Sequence, residues 1–134
     1  MTAKPRHFLI LDDEESIRQS IAAYMEDEGY IVFQATSGEQ ALDIVRNHRI
    51  DEAVVDIRLP GMDGNTFMIE ARKIQPEIKF VVHTGSADYM PPDAVKALGI
   101  TSKRVMIKPA GDLKILKNAL KDQYDQYEGS GHQP

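Results

Sequence analysis

The chain has 134 residues, of which 42% are hydrophobic, and this indicates a single globular domain with one buried core. Its 16 basic and 21 acidic side chains give a formal net charge of −5, so we expect no direct nucleic-acid binding by this domain, and the absence of cysteine excludes disulfides and zinc–thiolate sites. No apolar run approaches the ~18 residues of a membrane span, and no signal-peptide pattern opens the chain, so we expect a cytoplasmic protein without membrane contact.

Five short apolar runs are typical of strands that are buried on both faces of a sheet. A pattern of apolar residues at helical spacing follows each run. The predicted strands are residues 7–11, 31–33, 53–55, 80–82 and 105–107.

The first two predicted helices have recognisable ends. Gly29 ends the helix that follows the first strand, because glycine adopts the backbone geometry that stops a helix. Ser37 and Gln40 stand at the spacing of a capping box, which predicts the start of the second helix.

Prolines and glycines also bound the later helices. The third helix must end before Pro76, because the residue before a proline disfavours helical geometry. The pair Pro91-Pro92 fits the opening turn of the fourth helix, and Gly99 ends it. Asp112 caps a fifth helix that carries leucines on one face.

Strands that alternate with helices predict an α/β fold. We expect a doubly wound, five-stranded parallel sheet with five helices covering its two faces. Residues 1–124 would form this domain, and the polar residues 125–134 would form a tail or the start of a linker. Ligands bind outside the carboxyl ends of the strands in such a sheet, so the residues that end the strands are the first candidates for a site.

Polar side chains end four of the five predicted strands. Asp12 and Asp13 follow the first strand, Asp56 the third, Thr84 the fourth and Lys108 the fifth. Each residue alone has an ordinary explanation, since aspartates commonly cap helices and lysines commonly face solvent. Their joint placement at one edge of the sheet favours a functional site.

The residue types at this edge indicate phosphate and metal chemistry. Three neighbouring carboxylates repel one another, and a hard divalent cation relieves that repulsion. Oxygen-only ligands favour Mg²⁺, with Mn²⁺ as an alternative, over zinc. An aspartate can also be a covalent nucleophile toward a phosphoryl group when nearby cations neutralise the transferring charge. A metal ion on one side, with Lys108 and Thr84 on the other, would supply that neutralisation.

From about residue 7 to residue 124 the chain resembles the receiver domains of two-component response regulators. The resemblance rests on motifs that occur together and in the right order. They are Asp12-Asp13, Asp56, the loop of residues 59–64 (LPGMDG), Thr84-Gly85 and Lys108-Pro109. The resemblance implies a flavodoxin-like fold with strand order 2-1-3-4-5.

The resemblance also implies a phosphoacceptor switch, not an enzyme. Asp56 would accept a phosphoryl group from a sensor histidine kinase or a phosphotransfer protein. Asp13, Asp56 and the backbone carbonyl of Arg58 would ligate Mg²⁺, while Asp12 would act through water or as a second carboxylate. The domain would assist only its own phosphorylation and autodephosphorylation, and it would signal to an effector protein or a fused output domain.

In the family, the residues after the fourth and fifth strands respond to phosphorylation. The resemblance implies that Lys108 pairs first with Asp56 and then with the phosphoryl oxygens. Thr84, followed by Gly85, would turn toward the phosphoryl group and transmit the change. The Lys108-Pro109 peptide bond would be cis.

Some positions near the site vary within the family or depart from its pattern. Arg58 and Ser86 occupy positions that tune the lifetime of the phosphoryl group. Family members often carry a Tyr or Phe where this chain has Val105, and a valine cannot make the movement of that ring. Tyr89 is a candidate substitute, but we interpret it as an exposed loop residue. We interpret His83 as a core histidine with satisfied hydrogen bonds.

Other functions fit the strand ends less well. An aspartate-nucleophile phosphatase of the haloacid dehalogenase type would carry Asp-x-Asp after the first strand, whereas this chain has Asp12-Asp13-Glu14. A flavin-binding domain would need a phosphate loop there, and the acids would repel the flavin phosphate. A phosphorylation-independent interaction module with a receiver fold stays open because of Val105.

Overall fold

The computed structural model describes residues 4–108, 113–114 and 116. Within them, five parallel strands form one sheet in the order β2-β1-β3-β4-β5, which confirms the predicted topology. The strands are β1 (His7–Leu11), β2 (Ile31–Ala35), β3 (Glu52–Val55), β4 (Lys79–Thr84) and β5 (Val105–Ile107).

The same residues include four helices, and two of them have side-chain caps at their first turns. Ser37 accepts a hydrogen bond from the backbone N–H of Gln40 at 3.1 Å, and Asp63 accepts one from Thr66 at 2.8 Å. These bonds satisfy amide groups that have no partner inside the helix. The helices are α1 (Glu15–Asp27), α2 (Gly38–Asn47), α3 (Gly64–Ile74) and α4 (Asp93–Lys96).

The helices cover both faces of the sheet. Side chains alternate along each strand, so Leu9 and Leu11 of β1 belong to one hydrophobic cluster while Phe8 and Ile10 belong to another. The first cluster packs under α2, α3 and α4, and the second under α1. Burial on both faces explains why the strands are almost entirely apolar in sequence.

The fourth helix is shorter than its apolar pattern predicts. It ends at Lys96, and Gly99 follows in the left-handed conformation with φ of 90°. Pro92 precedes the helix as its cap instead of lying in its first turn. Ile100, directly after Gly99, is buried with 2% exposure.

Part of the carboxyl-terminal prediction lies outside the described residues. Leu113 and Leu116 pack against the cluster under α1, as the predicted fifth helix requires. Its cap at Asp112, the Lys108-Pro109 bond and the tail of residues 125–134 lie outside the described residues. In the part of the chain that is described, no helix combines the length and the apolar character needed to cross a bilayer.

A close backbone contact fixes the start of α3 against the end of β3. A Cβ atom added at Gly64 would overlap the carbonyl oxygen of Asp56 and lie 2.9 Å from a methyl carbon of Val55. The Gly64 N–H also donates to the carbonyl of Ile57 at 3.0 Å. Only glycine allows this approach, which holds the loop after Asp56 in place.

We therefore expect Gly64→Ala to lower the free energy of unfolding by roughly 1–3 kcal/mol, because the added methyl group forces the backbone of Asp56 to shift. Urea denaturation measures the change. Gly85→Ala is the matched control, since a Cβ there would meet nothing within 4 Å. Equal stability of the two variants would contradict the proposed contact.

Candidate functional site

Backbone hydrogen bonds bring the predicted site residues to one edge of the sheet. The amide of Asp12 donates to Ala35 at 3.2 Å, that of Asp56 to Leu11 at 2.8 Å, and that of Lys108 to Thr84 at 2.8 Å. The ladder between neighbouring strands thus continues one residue past each strand end. The residues at the ends of β1, β3, β4 and β5 are therefore neighbours along one edge of the sheet.

Three carboxylates meet in this region. Oxygen atoms of Asp12, Asp13 and Asp56 lie within 4.8 Å of one another. Asp12 and Asp56 are buried, whereas Asp13 is exposed at the mouth of the site. Both Asp12 oxygens have partners, since Oδ1 accepts from the Glu14 backbone N–H at 2.9 Å and Oδ2 lies 2.9 Å from the Lys108 ammonium.

Lys108 lies between the carboxylates. Its Nζ atom is 2.9 Å from Asp12, 3.2 Å from Glu14 and 3.3 Å from Asp56, so each of its three N–H donors has an acidic acceptor. Burial alone would lower the pKa of this ammonium. The hydrogen bond to Asp12 and the charges of Asp12 and Asp56 outweigh burial and raise the pKa above its ordinary value. Lys108 therefore stays positively charged.

Glu14 is a site residue that the sequence did not single out. It belongs to a run of four acids, and its position within that run gave no reason to prefer it. In the structure its side chain is 58% exposed, and its carboxylate lies 3.2 Å from the Lys108 ammonium.

The negative charge of the cluster exceeds what Lys108 neutralises. Burial, and then the neighbouring charge of Asp12, raise the pKa of Asp56 to about 6 even though Lys108 acts in the opposite direction. An aspartate with a raised pKa beside two further carboxylates is a favourable place for a divalent cation. The donor set fits Mg²⁺, because it consists only of oxygen atoms.

Arg58 and Ser86, which follow Asp56 and Thr84 by two positions, approach each other beside the site. Arg58 is exposed, and its Nη2 atom lies 3.5 Å from the Ser86 hydroxyl. Thr84 is 1% exposed, and its hydroxyl oxygen accepts a hydrogen bond from the Ser86 backbone N–H at 3.2 Å. Gly85 is exposed between them.

Two interpretations of single residues were wrong. Tyr89 is half-buried, not exposed, because it packs on the cluster under α3 and its hydroxyl donates to Asn65 at 2.6 Å. His83 is buried, but neither ring nitrogen has a hydrogen-bond partner among the described residues. Burial lowers the pKa of His83, so its ring stays neutral. Val105 is half-buried against the same cluster as Tyr89.

Comparisons with known sequences identify related domains. A family model described as response regulator receiver domain matches residues 8–121. The transcriptional regulatory protein GlrR of Escherichia coli K12 is 30% identical over 126 residues, which cover 94% of this chain and 28% of GlrR. The chain thus spans 28% of the length of this curated relative.

Solved structures share the fold over nearly the whole chain. A CheY-like receiver domain protein from Methanospirillum hungatei has a TM-score of 0.78 and 26% identity, covering 95% of this chain and 99% of that one. The response regulator TrrA from Thermotoga maritima, in complex with Mg²⁺ and beryllofluoride, has a TM-score of 0.76 and 26% identity, covering 87% and 97%.

The raised pKa of Asp56 predicts a pH-dependent gain in stability for Asp56→Asn. Without metal at pH 7, the ionised Asp56 disfavours folding, so the variant should gain roughly 1–3 kcal/mol in the free energy of unfolding. The difference in stability between the variant and the unaltered protein should disappear as the pH falls through about 6 toward 4. Asp56 of the folded protein is then protonated, so it no longer carries a charge that disfavours folding.

Urea denaturation at several pH values, with a chelator present, measures this difference. Asp43→Asn on the exposed side of α2 is the control and should change stability by less than about 0.5 kcal/mol. A gain that is constant between pH 4 and 7 would contradict the prediction.

Proposed function

Because the chain belongs to the response regulator receiver domain family of two-component systems, we propose that it is a phosphoacceptor switch in which Asp56 accepts a phosphoryl group. One observation carries the proposal. The buried Asp56 carboxylate lies 3.3 Å from the Lys108 ammonium and within 4.8 Å of two further aspartates. A nucleophilic carboxylate beside fixed charges is the arrangement that phosphoryl transfer requires, since its catalysis is mostly positioning and electrostatics.

The carboxylates would hold Mg²⁺ in the working state, and Mn²⁺ would suit the same ligands. Asp13 and Asp56 would bind the ion directly, together with the backbone carbonyl of Arg58. Asp12 would act through water, since both its oxygens already have partners. When bound, the ion would neutralise the carboxylates and the oxygens of the incoming phosphoryl group.

In the proposed transfer, a carboxylate oxygen of Asp56 attacks the phosphorus atom of a phosphohistidine. The new O–P bond forms while the P–N bond breaks, and the departing imidazole takes up a proton. Lys108 turns an N–H donor from a carboxylate to a phosphoryl oxygen, which it can do because Glu14 is exposed and free to rotate away. Thr84 and Gly85, at the end of β4, then bind a second phosphoryl oxygen.

Arg58 and Ser86 would set the lifetime of the product. Their side chains approach each other within 3.5 Å on the solvent side of the site. Hydrolysis requires a water molecule in line with the O–P bond, so side chains at this position limit its access. Position 105 would contribute little to the response, because a valine has no ring to move.

The phosphoryl donor would be a sensor histidine kinase or a phosphotransfer protein, and the recipient of the signal an effector protein or a fused output domain. We assign residues 1–124 to the receiver domain and residues 125–134 to a tail or linker. GlrR, of which this chain spans 28%, is a transcriptional regulatory protein, so a fused output domain has a precedent among the relatives.

The phosphoacceptor function predicts Mg²⁺-dependent modification by a small phosphodonor. Incubation with acetyl phosphate and Mg²⁺ should add one phosphoryl group per chain, measured by intact mass. Asp56→Ala should abolish the gain, and a chelator should abolish it in the unaltered protein.

Asp43→Asn on α2 is the control for removing an acid and should be phosphorylated normally. Failure of the unaltered protein to gain a phosphoryl group would contradict the proposal and favour a phosphorylation-independent interaction module.

Lys108 competes with a divalent cation for the same carboxylates, so Lys108→Met should bind Mg²⁺ at least roughly tenfold more tightly at pH 7. Calorimetric titration is the suitable measurement, because the chain contains no tryptophan to report binding by fluorescence. As a control, the substitution Lys96→Met at an exposed position of α4 should leave the affinity for Mg²⁺ unchanged. Weaker binding in Lys108→Met would show that the lysine organises the metal ligands instead of competing for them.

A further inference from the structure

Three hydrogen bonds connect Thr84 with the first turn of α3. The Thr84 hydroxyl oxygen accepts from the Ser86 backbone N–H at 3.2 Å, and the Ser86 carbonyl accepts from the Tyr89 backbone N–H at 3.2 Å. The Tyr89 hydroxyl then donates to Oδ1 of Asn65 at 2.6 Å. The loop after β4 is thus bonded at one end to the site and at the other end to a helix.

Tyr89 is an aromatic ring held by packing and by one hydrogen bond at its hydroxyl. It is half-buried against the hydrophobic cluster under α3, the same cluster that Val105 contacts from β5. Burial, and then the charge of Asp63, raise the pKa of its phenol to about 12, so the hydroxyl keeps the proton that it donates. The next residue, Met90, is 75% exposed, so its side chain adds little packing that would hold the loop on the solvent side.

The site end of this connection changes if Thr84 responds to phosphorylation. Without a phosphoryl group, the Thr84 hydroxyl oxygen accepts a hydrogen bond from the Ser86 backbone N–H. Turning that oxygen toward a phosphoryl group on Asp56 removes the acceptor from Ser86, and the turn that positions Tyr89 loses its first bond. The bond between the Tyr89 amide and the Ser86 carbonyl remains, and the ring is then held by its packing and by the hydrogen bond of its hydroxyl to Asn65.

We propose that Tyr89 replaces the missing aromatic at position 105, and that its hydrogen bond to Asn65 is a latch which opens when Thr84 turns toward the phosphorylated Asp56. The inference rests on the proposed phosphorylation. The surface that changes would then consist of residues 85–92 and the first turn of α3. The signal would leave the site beside α3 and not through β5.

The latch predicts a change in affinity for a phosphoryl mimic. Opening the latch costs about one net hydrogen bond, which corresponds to roughly a three- to tenfold population shift. Tyr89→Phe keeps the ring but lacks the donor, so it should reach half-maximal response at a roughly three- to tenfold lower concentration of beryllofluoride with Mg²⁺. Amide NMR spectra of the whole chain measure this response.

Asn65→Ala should have the same effect, and the double variant should exceed neither single variant, because both remove one bond. In the unaltered protein, beryllofluoride should shift the amide signals of Asn65, Thr66 and Tyr89 as well as those near Asp56. Tyr24→Phe, on the opposite face of the sheet, is the matched control and should respond like the unaltered protein.

The outcomes separate the two proposals. Shifts near Asp56 without shifts at Asn65 and Tyr89 would overturn the latch and leave the phosphoacceptor function standing. Lower thermal stability of Tyr89→Phe with an unchanged half-maximal concentration would also overturn it, since Tyr89 would then be only structural. No shift anywhere would overturn both.

Discussion

The crowding of acidic groups at one edge of the sheet is the constraint on which the rest of this molecule depends. Oxygen atoms of Asp12, Asp13 and Asp56 lie within 4.8 Å of one another, and the positively charged Lys108 ammonium contacts Asp12 and Asp56. Burying these groups and bringing them together disfavours folding, since burial and then the charge of Asp12 raise the pKa of Asp56. Two packed hydrophobic clusters supply the stability that allows such an arrangement to persist.

The parallel sheet determines where this crowding occurs. All five strands run in one direction, so their carboxyl ends share an edge, and backbone bonds beyond the strands fix Asp12, Asp56 and Lys108 in register. At Gly64 the backbone of α3 touches that of Asp56. The helix beside the site is therefore in direct contact with the residue that we propose to be modified, and Tyr89 adds a second contact to the same helix through Asn65.

The sequence predicted the strands from short apolar runs and the strand-end residues from their position after those runs, and the family resemblance implied the strand order. It did not predict the partners of individual side chains. Tyr89 was expected to be exposed because it lies in a loop, and its bond to Asn65 joins positions 24 residues apart. Glu14 was hidden in a run of acids, and His83 looked satisfied because buried histidines usually are. All three depend on tertiary contacts that local patterns do not record.

The charge count of the site has a consequence for how such a domain is recognised. The three aspartates and Glu14 carry four negative charges against the one ammonium of Lys108, and a divalent cation would cancel two of the remaining three. Under the proposed function, phosphorylation replaces the single charge of Asp56 by about two, and so adds about one. A binding partner would therefore meet a similar long-range electric field before and after the event. The partner would distinguish the two states by surface shape and by the direction of hydrogen bonds. Its preference for one state would therefore depend only weakly on ionic strength.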